Sequence, residues 1–330
     1  PEVATGDEKT GLVTGISKGD ATIIVTADDF SSNPVSASCE IGVKIVTPIT
    51  GMTFTEDTEL NQLGYGQEYQ IKYTLEPVDA TASLLTWASD NPEVISVDKT
   101  GKLKVHTTKT ASAVITASYG PVVQNVTVTV ADGRFWYSLG NGLGNGLDNN
   151  WYLDGNNASV VSSDGNKTTV QMGSGYRGDL WLARSGKGKI VNVTPADYRY
   201  FAIKVGFKSQ LVPGKNKPNG CIKLEIFDDG IKKIGPEYFG TGGDANNRYE
   251  ILGASEISTT EPNVLYYDLQ SKYKTVTPPD WNQVFDLVQC KFVIADFPET
   301  AQTYDLYWIR SFKSIEELQA FVDSENNTNE

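Results

Sequence analysis

Residues 1–27, "PEVATGDEKTGLVTGISKGDATIIVTA", return as residues 92–118, "PEVISVDKTGKLKVHTTKTASAVITAS". Pro1, Glu2 and Val3 answer Pro92, Glu93 and Val94, Asp7 answers Asp98, and the turn pair Thr10–Gly11 answers Thr100–Gly101. A repeated unit must bury its apolar face in the same way each time, so this internal echo limits the fold more than any single motif. The first copy closes near "CEIGVKIV" and the second near "NVTVTVA". Residues 1–46 therefore read as the rear half of one module, 47–131 as a complete module, and 132–330 as a domain of different composition. The opening residues resemble the middle of a domain, which predicts a piece of a longer protein.

The chain is expected to be all-β. Runs such as "ATIIVTA", "YQIKYTL", "YFAIKVGF", "CKFVIADF" and "YDLYWIRSF" alternate polar with apolar residues between Gly, Asn, Asp and Pro. Helical spacing is expected only in "KSIEELQAFV", where Ser314 can cap the N-terminus and Ile315, Leu318 and Val322 share a face. A net charge of −13 lacks the basic patches that nucleic acid or an anionic membrane requires. Three cysteines, Cys39, Cys221 and Cys290, are too few and too scattered for a disulfide framework or a zinc site. Cys221 and Cys290 lie in strand-like runs and are read as buried free thiols, with neighbouring positions as the alternative. His106 is the single histidine, so the last two thirds of the chain offer no Ser-His, Cys-His or His-metal pair.

The run "LTWASDNPEVISVDKTGKL", followed by "AVITA" and a terminal "VTVTV", resembles the bacterial Ig-like family, group 2. The resemblance implies tandem β-sandwiches serving as spacers or stalks, with Trp87 as a core residue. Five of the six tryptophans lie beyond Asp132, in a stretch long enough for one large jelly-roll sandwich with a short C-terminal helix. Its endings "YYDLQ", "VQCKFVIADF" and "YWIRSFKSIEEL" are similar to a C-terminal domain of Bacteroides-type surface glycan-binding proteins from starch-utilisation-like loci. That resemblance implies an outer-membrane lipoprotein facing the outside, acting as a monomer beside a transporter and its lid. It implies polysaccharide capture before uptake, with a β-glucan, β-1,3-linked, as the first ligand class. An adhesin or scaffold for host protein or glycan, and an accessory module of a glycoside hydrolase, stay open.

Chemistry finds little support in the motifs. A laminarinase-type Glu-x-Asp-x-x-Glu strand fails at "LEIFDDG", where Phe227 and Gly230 stand in place of the second and third carboxylates after Glu225. Non-catalytic action is therefore expected. No cofactor is called for, although a structural calcium is compatible with "FDDG" (Asp228, Asp229) or "GGDANN" (Asp244, Asn246, Asn247). The run "SLGNGLGNGLDNNWY" has neither the spacing nor the following helix of a dinucleotide fingerprint, and no Walker lysine. It reads as a glycine-shaped loop opening the C-terminal sandwich and delivering aromatics to an edge.

A β-sandwich rich in aromatic loops and poor in catalytic groups points to sugar recognition. Pyranose C–H faces stack on Trp or Tyr, and hydroxyls bond amides, carboxylates and Arg. By analogy with base stacking each platform supplies roughly 1–3 kcal/mol, so two or three reach a micromolar complex of about 8 kcal/mol. The candidate platforms are Trp151 and Tyr152 after the glycine run, Tyr176, Arg177 and Trp181 in "SGYRGDLWLARSGKG", and Trp281 in "TPPDWNQVF". Asp179 is read either as a ligand contact or as half of an ion pair with Arg177. Trp308 is expected in the core, Trp136 is divided between core and surface, and Tyr238 and Tyr249 are weaker candidates.

Overall fold

A computed structural model describes residues 2–27, 35–146, 150–154, 158–173, 178–184, 191–211, 223–228, 249–270, 280–294, 297 and 302–327. The chain divides into two compact units. One comprises Pro1–Phe54, Tyr73–Thr86 and Ser118–Val123; the other comprises Thr55–Lys72, Trp87–Ala117 and Gln124–Glu330.

The first half-copy carries β1 (Ala4–Gly6), β2 (Val13–Gly15), β3 (Gly19–Thr26) and β4 (Ser36–Val43), paired as two hairpins. The 47–131 stretch carries β5 (Gly51–Phe54), β6 (Leu63–Tyr65), β7 (Glu68–Gln70), β8 (Tyr73–Glu76), β9 (Thr86–Ser89), β10 (Ile95–Val97), β11 (Lys102–Val105) and β12 (Ala111–Tyr119). The two copies form the same turn. Asp7 Oδ1 accepts from the Lys9 and Thr10 amides, and Asp98 Oδ1 accepts from the Thr100 and Lys102 amides. Gly11 and Gly101 follow at φ 71 and 82, the left-handed region that a side chain resists. A Cβ on Gly101 would also lie 2.6 Å from the Trp87 ring, which is half-buried against that glycine. The copies differ in burial: Leu103 and Ile115 are 0% exposed, whereas their counterparts Val13 and Val25 are 40% and 68% exposed.

Strand β13 (Val122–Ser138) is 17 residues long and passes through Ala131 and Asp132 without a break. The strands that follow are β14 (Tyr152–Asp154), β15 (Ser159–Ser163), β16 (Thr168–Gln171), β17 (Gly178–Ala183), β18 (Val191–Val193), β19 (Tyr200–Phe207) and β20 (Lys223–Asp228). After them come β21 (Glu250–Ile251), β22 (Asn263–Asp268), β23 (Phe285–Ile294), β24 (Thr303–Phe312) and α1 (Ile315–Asn327). The architecture is all-β with one short C-terminal helix, as the residue patterning predicts.

Two sheets make the C-terminal sandwich. In one, the order β21-β22-β19-β24-β13 is extended by β16 on β24 and β15 on β16; in the other, β14-β17-β23-β18 is joined by β20 on β23. Alternation sets the faces: Phe201, Ile203, Val205 and Phe207 of β19 point inward with Leu265, Tyr267, Tyr304 and Ile309. They meet Leu180, Leu182, Leu287 and Phe292 of the second sheet in one core. Leu139 and Gly140 of the glycine run are buried there, and a Cβ on Gly140 would lie 2.3 Å from the Gly165 carbonyl oxygen. The helix begins as expected: the Glu317 amide donates to Ser314 Oγ while Glu317 Oε2 accepts from the Lys313 amide, a reciprocal cap. Leu318, Phe321 and Val322 then cover Trp308 and Phe312 on the outer face of the first sheet. Among the described residues no helix is long and apolar enough to cross a membrane.

Candidate ligand-binding face

Neighbouring residues of a strand point to opposite faces, and this separates Trp151 from Tyr152. Leu153 lies opposite the core residue Leu180, so Tyr152 faces outward and Trp151 inward. Trp151 is 0% exposed, its ring 5.6 Å from that of Phe292, and its carbonyl accepts from the Gly144 amide at 2.6 Å. It is a core residue, which corrects its reading as a loop-edge platform. Tyr152 is partly exposed and stands in register with Trp181 across β14 and β17. A Cβ on Gly146 would touch the Tyr152 ring at 3.2 Å, so the glycine run does shape the surroundings of this tyrosine.

Trp181 is only 8% exposed, and cations lie over its ring. Lys291 Nζ lies 4.3 Å from the ring centroid and the Arg184 guanidinium 5.1 Å from it. Lys291 is fixed by a 2.9 Å ion pair with Asp179, both side chains being 8% exposed. Asp179 thus pairs with Lys291 across β17 and β23. Arg184, 44% exposed, reaches over to Asp154. Around Trp181, the described residues thus bring together the Tyr152 ring, the carboxylates of Asp154 and Asp179 and the cations of Arg184 and Lys291. Burial pushes the Tyr152 phenol above its ordinary value; Asp154 adds to this and Arg184 opposes it. The two residues are cross-strand neighbours on one face, about 4.8 Å apart along the sheet, and hydrogen-bond donors and acceptors border them.

The remaining candidates separate. Trp281 is partly buried with its ring 6.0 Å from Phe285 at the margin of the core, so it is a packing residue as much as an exposed one. Tyr176, Arg177 and Tyr238 lie outside the described residues, as do Cys221, Asp229, Asp244, Asn246 and Asn247. Tyr249 packs partly buried on the core, and Trp308 is 4% exposed under α1. Trp136 is held between Arg134 at 5.0 Å and Arg310 at 4.3 Å. Cys290 is buried as expected, whereas Cys39 is exposed because β4 leaves both of its faces largely open. Among the described residues, no three His, Cys, Asp or Glu side chains gather as a metal site. Arg184, Lys291 and Asp154 escaped the sequence reading; Lys291 carried a visible signal, being an isolated cation inside the apolar run "CKFVIADF".

No curated protein matches the sequence. Among solved structures, the M60 catalytic domain with CBM51-1 and CBM51-2 domains from Clostridium perfringens ZmpB is similar at 12% identity and TM-score 0.23, over 88% of this chain and 25% of that one. Domains 4–9 of the surface layer protein SbsC are similar at 15% identity and TM-score 0.22, over 90% of this chain and 36% of that one. The chain thus spans a quarter to about a third of the length of these structures, and at such scores nothing of theirs transfers to it. The family-level match is different in kind: a model for a domain of unknown function, DUF4979, matches residues 142–318, more than half of the 330 residues. The chain belongs to the DUF4979 family.

Proposed function

We propose that this protein binds a polysaccharide without cleaving it, on the outer face of the second sheet. The observation that carries the reading is the cross-strand pair of Tyr152 and Trp181, bordered by Asp154, Asp179, Arg184 and Lys291. Stacking on the rings supplies affinity, and the flanking charges orient hydroxyls. The two ion pairs Arg184–Asp154 and Lys291–Asp179 leave no uncompensated charge beside the described rings, which suits a neutral glycan, and a β-glucan, β-1,3-linked, is the first candidate. For a sugar to stack on Trp181 its cover must move; Arg184 is the exposed part of that cover and Lys291 the fixed part. In this proposal the Ig-like repeats are spacers of an outer-membrane lipoprotein that hands glycan, as a monomer, to a neighbouring transporter and its lid.

Affinity electrophoresis of the full chain in gels containing laminarin, mixed-linkage β-glucan, xyloglucan or galactomannan tests the reading. Retardation by at least one glucan is expected, with Tyr152→Ala and Trp181→Leu each weakening binding roughly 5- to 100-fold, the worth of one stacked ring. The leucine keeps apolar volume under Lys291 while removing the aromatic face. Mobility unchanged by every polysaccharide would sink the proposal, and release of reducing ends on long incubation would replace it with an enzyme.

A further inference from the structure

A β-bulge interrupts the first sheet. Val205 of β19 lies opposite Leu306 and Lys204 opposite Trp308, so Tyr307 is the extra residue. A bulge re-aims the chain locally. Here Tyr307 and Trp308 both border the outer face, and α1 covers only the tryptophan closely: Tyr307 stays partly exposed, whereas Trp308 is 4% exposed. Beside the helix runs a cleft of about 780 Å³, floored by Lys204, Tyr307 and Trp308 and walled by Asn166, Glu261 and Glu325. That volume falls within the roughly 300–1,000 Å³ of ordinary ligand sites.

The walls are fixed in advance. The turn carrying Asn166 is held by Asp164, whose Oδ1 accepts from the Asn166 and Lys167 amides at 2.9 and 2.8 Å. The segment carrying Glu261 is tied back on itself: the Ser258 amide donates to Asn263 Oδ1, Asn263 Nδ2 donates to the Ser258 carbonyl, and the Glu261 amide donates to Ser258 Oγ. Glu325 is held from the floor by Lys204 Nζ at 3.2 Å and Trp308 Nε1 at 3.1 Å. Such preorganisation lowers the ordering cost of binding.

We infer that this cleft is a second saccharide-binding site, on the face of the sandwich opposite the Tyr152–Trp181 platform, selective for neutral sugars. The inference rests on the glycan-binding reading and extends it from one site to two. Tyr307 supplies the ring face, while Asn166, Glu261 and Lys204 offer acceptors and donors to hydroxyls. Among the described residues Lys204 and Arg310 face Glu325, and Lys167 and Lys208 offset Asp305 and Asp164 around Tyr307. These carboxylates are compensated, so the cleft suits a neutral sugar better than a uronate or sulfated polymer. Two sites on opposite faces let one molecule engage two segments of a long chain, raising retention on polymer without a change at either site.

The test uses the full chain, wild type and three variants, Tyr307→Ala, Trp181→Leu and the pair combined, in gels containing laminarin, mixed-linkage β-glucan or polygalacturonate. Each single variant is expected to weaken retention by a neutral glucan roughly 5- to 100-fold, and the double to abolish it, with no retardation by polygalacturonate. Tyr307→Ala behaving as wild type while Trp181→Leu loses all retention overturns the cleft and leaves the first site standing. The reverse pattern keeps the cleft and removes the platform; absence of retardation in the wild type removes both. Stronger retention on polygalacturonate than on the glucans overturns the neutral selectivity. Should Tyr307→Ala lose its cooperative melt, Asn166→Ala, an exposed turn substitution, repeats the comparison, and unchanged retention in it counts against the cleft.

Discussion

The two outer faces of the C-terminal sandwich each place tryptophan beneath cations, yet they are finished differently. On the first sheet Arg310 sits within 4.3 Å of the Trp136 ring, 5.2 Å of Trp308 and 4.1 Å of Phe321, and the amphipathic α1 closes the assembly. Burial there pulls the Arg310 guanidinium down to about 10 from its ordinary range, against the opposing pull of Glu325. On the second sheet Trp181 lies beneath Lys291 and Arg184, and among the described residues no helix covers it. The same chemical pair is closed by an apolar helix on one face and by charged side chains, Lys291 buried and Arg184 exposed, on the other.

The comparison breaks most readily at the sealed face. Trp308→Ala is expected to cost about 3–5 kcal/mol of unfolding free energy, read from urea melts, because it empties the small core under α1. A loss below ~1 kcal/mol would mean that the helix does not seal that face. On the second sheet, Lys291→Met strands the buried carboxylate of Asp179 and should cost about 3–5 kcal/mol, with the added substitution Asp179→Asn restoring much of it. Failure of the double variant to recover would show that Lys291 acts through packing on Trp181.

Acid sharpens the contrast further. Asp305 is buried, which raises its pKa, but Lys167, Lys208 and Thr169 all donate to it and hold the carboxyl below its ordinary value. Its contribution is therefore complete above about pH 4 and lost as pH falls through the depressed folded value. Asp305→Asn should flatten the acid limb of stability against pH; an unchanged limb would locate the acid sensitivity elsewhere. The smallest effect is expected at Arg184→Ala, below ~1 kcal/mol, since its pair with Asp154 is exposed. A larger cost would make Arg184 part of the scaffold and deny the second face its movable cover.

Much of this was legible in the residues. The repeat announced matching turns at Asp7 and Asp98, alternation announced the inward row of β19, and the "SIEEL" run announced a helix capped by Ser314. What escaped were features fixed by pairing partners. Trp151 and Tyr152 look alike as loop aromatics until β17 supplies the register that turns one inward. Tyr307 looked like one more residue of an apolar strand, because a bulge is defined by two strands and leaves no local signature. The cleft beside α1 draws on Asn166, Lys204, Glu261 and Glu325, four positions that only the folded chain brings together. The boundary expected at 131 and 132 falls inside β13, since a strand whose alternation continues gives no compositional mark of a junction.

The place of β24 in its sheet has a consequence for how the chain comes to be folded. This is the last of the described strands, yet it pairs with β13, β16 and β19 at once, and the Phe135 amide finds its acceptor, Ser311 Oγ, 176 residues away. A polypeptide emerging N-terminus first must wait for β24 before three earlier strands have a shared partner. Contacts of that sequence separation make closure slow, and the intermediate presents open edges throughout the delay. The sandwich is thus completed late and from its centre outward, so that loss of β24 alone would unmake a sheet assembled from the whole domain.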